Sequence, residues 1–73
     1  MIFPTAGIVE AIKRNYPAGC RVELIGMSDP YREMPAGLLG TVTAVDDTGT
    51  IFVDWDNGSS LGVVYGVDRC KRV

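Results

Sequence analysis

The carboxylates in the middle of the chain are the first residues whose spacing could support chemistry. Asp46, Asp47, Asp54 and Asp56 lie close together in sequence, and clustered carboxylates can bind Ca²⁺ or act as an acid–base pair. The run DWDNG is one residue shorter than the start of an EF-hand loop, D-x-[DN]-x-[DN]-G, and its Asn-Gly pair is typical of a hairpin turn. We therefore interpret these aspartates as turn residues on an acidic surface, and we predict no metal site and no cofactor.

Covalent and general acid–base catalysis have few candidate residues. The chain contains no histidine, which is the side chain most often used for proton transfer. No serine or cysteine has a base beside it in sequence, and there is no Gly-rich P-loop. A domain of this size also offers no deep pocket that would shift a carboxylate pKa. We therefore predict that the protein is not an enzyme.

The two cysteines lie near the two ends of the expected sheet. Cys20 opens the first predicted strand and Cys70 lies in the last. If those strands are antiparallel neighbours, the thiols could lie opposite each other at a Cα separation close to that of a disulfide. The alternative is two free thiols in a reducing cytoplasm. A zinc site is not expected, because there is no histidine and no third cysteine.

Aromatic residues are the better candidates for binding a partner. Tyr31 lies in a long loop beside Asp29, Trp55 ends a central strand, and Tyr65 follows the next strand. Aromatic walls with nearby acids suit a proline-bearing or basic peptide. The alternative is that Trp55 and Tyr65 belong to the core, since Trp55 shares the inward register of its strand. The candidate partner-binding residues are Asp29, Tyr31, Arg32, Asp46, Asp47, Trp55, Asp56 and Tyr65.

The basic residues give a second candidate surface. The net charge of −2 disfavours wholesale binding to a phosphate backbone, but acids gather in the middle of the chain and cations toward its ends. A fold that joins the ends would have an acidic and a basic pole, with Arg21 lying across from Arg69 and Lys71. No aromatic residues interleave for base stacking, so the alternative is a solvated face. The candidate nucleic-acid contacts are Lys13, Arg14, Arg21, Arg69 and Lys71.

A helix and a first strand precede a long loop. TAGIVEAIKRN, residues 5–15, has apolar residues at helical spacing, with Thr5 as its N-cap and Pro17 to end it. CRVELIG, residues 20–26, alternates apolar and polar residues as a half-buried strand does. The loop over residues 27–37 has neither period, and loops of that length are often functional.

The rest of the chain has the pattern of a strand meander with tight turns. Gly40 interrupts the first of its strands, which suggests a bulge or a sharp bend. The expected strands cover residues 38–45, 50–55, 60–64 and 69–73, with turns at 46–49 and 57–58 and a one-turn connector at 65–68.

This order of elements predicts a mainly β fold, a small five-stranded SH3-like barrel with an N-terminal α-helix. In that topology the first and last strands lie side by side. Residues 1–19 supply the helix and a linker, and residues 20–73 the barrel, within one domain, because 73 residues suffice for one domain at most.

The composition agrees with a globular chain. It is 47% hydrophobic and 22% charged, which is too apolar for a disordered protein. No run approaches the roughly 18 apolar residues of a membrane span, and the N-terminus lacks the pattern of a secretory signal. We predict a cytoplasmic location and no membrane partner.

Three runs resemble a known family. YPAGCRVELIGMSDPY, PAGLLGTVTAVDDTGTIFVDWDNGSSLG and GVDRCKRV together resemble domain-of-unknown-function family 4314, found in small bacterial, phage or mobile-element proteins. The resemblance covers roughly residues 16–72, and its DPY and WDNGS elements are the most specific. It implies a small-barrel fold and supplies no catalytic residues. The chain departs from the family pattern at Cys20 and Cys70.

These observations favour a non-enzymatic protein–protein interaction module. The resemblance implies that a phage or mobile element encodes it, as an inhibitor or adaptor of a host complex. One alternative is a nucleic-acid-binding small barrel, and another is a small-ligand or nucleotide binder that works as an oligomer. The sequence leaves open the identity of the partner, the oligomeric state, the pairing of the cysteines, and whether the helix packs in cis or in trans.

Overall fold

The computed structural model describes residues 4–27 and 34–73, which form one helix and five strands. This confirms the prediction of a mainly β fold with five strands and an N-terminal helix. The elements are α1 (Ala6–Asn15), β1 (Arg21–Gly26), β2 (Leu39–Val45), β3 (Ile51–Trp55), β4 (Ser60–Val63) and β5 (Arg69–Arg72).

Helix α1 begins and ends where the sequence predicts. The Thr5 side chain accepts a hydrogen bond from the backbone N–H of Ile8 at 3.3 Å, so it caps a free donor of the first turn. The helix ends at Asn15, just before Pro17, because the residue before proline avoids the α conformation. The side chains of Ile12 and of Tyr16, the C-cap residue, pack against the core of the sheet.

All five strands form one antiparallel sheet in the order β4-β3-β2-β1-β5. The first and last strands are neighbours, as predicted. Among the described residues no ladder joins β4 to β5, so the sheet stays open between these two strands.

Both predicted hairpin turns are present. Asp46 closes the turn between β2 and β3, where its Oδ1 accepts hydrogen bonds from the backbone N–H groups of Thr48 at 2.9 Å and Thr50 at 3.0 Å. Between β3 and β4, Gly58 donates to the Trp55 carbonyl at 3.0 Å. Gly58 has φ of 90°, a conformation that is costly for residues with a side chain.

The core lies on one face of the sheet. Its buried members are Val22, Leu24, Val42, Ile51, Val53, Trp55 and Val63. Trp55 is only 3% exposed, and its indole N–H donates to the Leu61 carbonyl at 3.1 Å. Trp55 is therefore a core residue, and the prediction that it contacts a partner at the surface is wrong. The alternative interpretation, which followed from its inward register, is correct.

Gly40 keeps regular pairing, contrary to the prediction of a bulge or bend at this position. It pairs with Trp55, and the irregularity of β2 lies between Val42 and Ala44. A Cβ at Gly40 would stand 2.5 Å from Val53 Cγ1 and 2.8 Å from Trp55 Cε3. The glycine is needed because these two side chains occupy the space beside it.

The register of β1 and β5 favours free thiols, one of the two alternatives that the sequence left open, and it corrects the predicted position of Arg21. Cys70 pairs with Leu24. Cys20, just before β1, is four residues from Leu24, which is roughly 13 Å along an extended chain. That is beyond the Cα separation of a disulfide, about 7 Å at most, and both thiols are free. Lys71 pairs with Glu23, so Arg21 does not lie across from the basic residues of β5. A bulge near Gly26 shifts the register.

Candidate functional site

A groove opens where the chain passes from β4 to β5. Its volume is about 500 Å³, within the range of ligand sites in proteins, roughly 300–1,000 Å³. The residues that line it are Ile12, Gly49, Ile51, Val63, Tyr65, Gly66, Val67, Asp68, Arg69 and Cys70. The groove therefore lies at the position where the sheet is open.

The floor of the groove is the edge of the core. Ile51 and Val63 are register partners on β3 and β4, and both are buried. Inward residues of neighbouring strands lie on the same face of a sheet, so together they form an apolar floor. Ile12 of α1 completes it from the helix side.

Gly49 lets the helix side approach this floor. Its φ is 79°, and a Cβ there would lie 2.9 Å from Pro4 Cγ and 3.3 Å from Ile12 Cδ1. Any side chain would push the N-terminal segment away from the β2–β3 turn. Gly49 is therefore required both by the turn and by the close approach of α1.

The connector at residues 65–68 forms the outer wall. The backbone N–H groups of Val67 and Asp68 donate to the Val64 carbonyl at 3.1 and 2.9 Å, and the Asp68 carboxylate accepts from the Val64 N–H at 3.1 Å. These bonds make a self-contained turn that holds Tyr65 and Val67 at the groove. Val67 is 54% exposed, so it presents apolar surface at the groove.

Cys70 adds a thiol to the lining, and its chemistry is muted. Burial and, to a smaller extent, electrostatic repulsion from Cys20 raise the pKa of the Cys70 thiol to about 11. The thiolate is the reactive form of cysteine, so Cys70 is a poor nucleophile at neutral pH. Burial likewise raises the pKa of Tyr16, whose hydroxyl donates a long 3.5 Å hydrogen bond to the Cys70 carbonyl.

The described members of the predicted partner-binding set lie in different environments. Of these, Tyr65 lines the groove and Trp55 is buried. Asp46 uses its carboxylate inside its own turn, where the hydroxyl and N–H groups of Thr48 and the N–H of Thr50 hold its pKa below the usual value. Asp29, Tyr31 and Arg32 lie outside the described residues, so their role in binding stays a prediction.

The two other acids of that prediction form ion pairs with predicted basic contacts. Lys13 Nζ lies 2.9 Å from Asp47 Oδ1, and this hydrogen bond raises the pKa of Lys13. Arg21 forms a bidentate pair with Asp56, at 2.5 and 2.9 Å, which lowers the pKa of Asp56. The expected acidic and basic poles are thus bridged to each other at two points.

The other four cations of the described residues are exposed. Arg14, Arg69, Lys71 and Arg72 all lie at the surface, and within the described ranges none of them forms an ion pair with a carboxylate. Arg72 donates to the carbonyl of Asn15 at 3.3 Å, which ties β5 to the end of α1. These four residues, Arg14, Arg69, Lys71 and Arg72, are called the basic strip below.

Most of the groove was missed from the sequence. Ile51 and Val63 alternate as ordinary core residues, and nothing in their spacing marks them as lining a groove. One signal was available in the connector, because Tyr65 and Val67 make it more apolar than a surface turn usually is.

The part of the chain that the structure describes contains neither a candidate metal site nor a candidate membrane-spanning helix. No group of three His, Cys, Asp or Glu residues there could hold a metal ion. No helix there is long and apolar enough to span a bilayer.

Comparison with known proteins adds a family and no activity. The family model described as Domain of unknown function (DUF4314) matches residues 5–73, which is nearly the whole chain and includes α1. No curated protein matches the chain.

Proposed function

The chain belongs to the DUF4314 family, and we propose that it is a non-enzymatic protein–protein interaction module that binds an extended partner segment in the groove between β4 and β5. The observation that carries this proposal is the groove itself. It is apolar, it leaves Val67 more than half exposed, and it lies between the two edge strands of the sheet.

Edge strands favour an extended partner over a compact ligand. The outer edges of β4 and β5 pair with no other strand of the described chain, and such edges can accept an added strand through backbone hydrogen bonds. Side chains of the added segment would enter the adjoining groove. A small ligand would use the groove and leave both edges unpaired, so the geometry favours a peptide over the alternative of a small-ligand or nucleotide site.

Binding suits this groove better than catalysis does. Cys70 is the thiol that lines it, and its pKa of about 11 leaves it almost wholly protonated at neutral pH. The chain has no histidine to act as a base for it.

The cytoplasmic location comes from the sequence, and the other further parts of the proposal come from the family resemblance. We propose that the module acts in the cytoplasm, that a phage or mobile element encodes it, and that it inhibits or adapts a host complex.

A library of random 12-residue peptides displayed on phage tests the proposal and does not require the partner to be identified. Val67→Glu places a charge in the groove wall, and Leu39→Glu is the matched control, because Leu39 is an exposed β2 residue that does not line the groove. Circular dichroism establishes that both variants fold. We expect selected peptides to bind the wild type and the control equally, and the Val67→Glu variant at least about tenfold more weakly, since a desolvated charge opposes apolar burial.

Two results would contradict the proposal. One is that no peptide is enriched over an empty support, and the other is that both variants lose binding to the same extent, which would place the contact elsewhere.

The basic strip favours nucleic-acid binding as a second candidate function. Its four exposed cations lie on α1 and β5 without carboxylate partners among the described residues. Binding to a phosphate backbone falls steeply as salt rises, because counterions are released. A single-stranded RNA or DNA probe whose affinity does not change between 50 and 200 mM salt, or which is not bound at all, would exclude this function.

A further inference from the structure

We propose that the partner segment presents a carboxylate next to aliphatic side chains, and that Arg69 pairs with this carboxylate at the rim of the groove. The inference rests on the proposed function and adds the chemistry of the partner to it. Its two parts come from the lining of the groove and from the charges around it.

The lining selects aliphatic side chains. Ile12, Ile51 and Val63 supply the floor and Val67 the outer wall, and all four are branched aliphatic residues. Burial of apolar surface stabilises a complex by roughly 25 cal/mol for each Å² removed from water. This effect does not depend on the orientation of the contacting groups. A partner with leucine, isoleucine or valine at alternate positions of an extended segment would bury these side chains on one face.

The rim selects negative charge. Arg69 lines the groove and is exposed, and it has no carboxylate at ion-pair distance among the residues that the structure describes. Lys13 and Arg21 differ from it in this respect, since each has an aspartate partner. A guanidinium of this kind can form two parallel hydrogen bonds with a carboxylate.

The neighbours of Arg69 strengthen this preference. Lys71 and Arg72 follow on the same strand, and Arg72 reaches the end of α1 at Asn15. Two acids lie near them. The Asp68 carboxylate accepts from the Val64 N–H within the connector, and Glu23 is the register partner of Lys71. Asp68 lines the groove together with Arg69, but cations outnumber acids three to two among these five residues, which disfavours a basic segment.

Sequencing the peptides that the library selects tests the inference. We expect the wild type to enrich Asp or Glu beside Leu, Ile or Val, and the Arg69→Glu variant to enrich Lys or Arg at the same positions. For the tightest wild-type peptide, replacing its acid by Asn or Gln should lower affinity about two- to fivefold at low salt, as loss of one exposed ion pair does. Arg14→Glu is the matched control, since it makes the same charge change outside the groove lining.

The outcomes separate this inference from the proposed function. Enriched peptides that need Val67 but show the same charge composition with wild type and Arg69→Glu would overturn the inference and leave the interaction module intact. No enriched peptide at all would overturn both. A single-stranded RNA of 12 nucleotides could also displace the selected peptide. If it does, and its own affinity falls steeply as salt rises, the inference is overturned and the ligand is nucleic acid.

Discussion

Single residues in this fold are constrained most strongly where two strands approach a large side chain. Gly40 is the clearest case, because the Trp55 ring and Val53 occupy the space that its Cβ would need. Trp55 in turn is held by its indole hydrogen bond to Leu61. A strand glycine can thus mark the position of a neighbouring indole, as well as a bulge.

Replacing Gly40 by alanine should therefore destabilise the protein. We expect Gly40→Ala to lower the free energy of unfolding by about 1–3 kcal/mol, the usual cost of overpacking a core. For a domain of this size each kcal/mol corresponds to about 4–8 °C in Tm, which a thermal unfolding curve resolves. Gly26→Ala is the control, since a Cβ at Gly26 has no atom within 4 Å. Equal Tm values for the two variants would refute this account of Gly40.

At the scale of elements, local chemistry determined what the sequence could predict. The β3–β4 hairpin was predictable because Asn57-Gly58 favours one turn type, and α1 was predictable because Thr5 and Pro17 mark its ends. The bulge near Thr43 carries no such residue signal, and the glycine at the other bulge, Gly26, cannot be told by sequence from Gly40, which pairs regularly. The two bulges decide which side chains face each other, so the partners of Arg21 and Cys70 could not be predicted.

The groove could not be predicted from the sequence, for a related reason. Its walls come from α1, β3, β4, the connector and β5, and their meeting depends on the sheet remaining open between β4 and β5. Alternation along one strand shows which residues face inward, as it did for Ile51 and Val63. It does not show where the inward face ends in a gap.

The β2–β3 turn gives an element-scale prediction that depends on pH. The Asp46 carboxylate accepts hydrogen bonds from two backbone N–H groups, and its pKa is lowered in the folded state. A carboxyl with a lowered pKa stabilises the fold above its unfolded pKa, about 3.9, and loses that contribution as the pH falls through the folded pKa. We expect Asp46→Ala to cost on the order of 1 kcal/mol at pH 7, as removal of a helix cap does.

Thermal unfolding between pH 7 and pH 2 measures this dependence. The difference in Tm between wild type and Asp46→Ala should be constant above about pH 5 and should shrink as the pH is lowered further. Asp47→Ala is the control. Asp47 lies in the same turn, but its exposed carboxylate pairs with Lys13 of α1. A Tm difference for Asp46→Ala that does not change with pH would show that the charge of Asp46 plays no part.

For the whole molecule, the distribution of charge follows from how the ends of the chain meet. The sequence suggested separate acidic and basic poles, and the fold instead bridges them through Lys13–Asp47 and Arg21–Asp56. These pairs tie α1 to the β2–β3 turn and β1 to the β3–β4 hairpin. Among the described cations, those of the basic strip have no ion-pair partner in the described chain, and Arg69 of this strip lines the groove.

The reactivity of Cys70 reports whether β5 detaches before the rest of the fold unfolds. A Cys20→Ser variant leaves Cys70 as its sole thiol. Burial, the larger cause of the raised Cys70 pKa, remains in this variant, so much less thiolate is present at pH 8 than at the ordinary cysteine pKa of about 8.5. The greater nucleophilicity of a high-pKa thiolate offsets part of this. We therefore expect an aromatic disulfide reagent to react at least about tenfold more slowly with the folded than with the unfolded chain.

Urea then distinguishes local from global opening. A domain of 73 residues should unfold as one cooperative unit, because β5 pairs with β1 and Leu24 of β1 belongs to the core. We expect fast labelling of Cys70 to appear at the same urea concentration at which circular dichroism reports the loss of the sheet. Labelling that becomes fast at a lower urea concentration would show that β5 detaches first, in which case the groove is a transient feature and cannot hold a partner segment in the manner proposed.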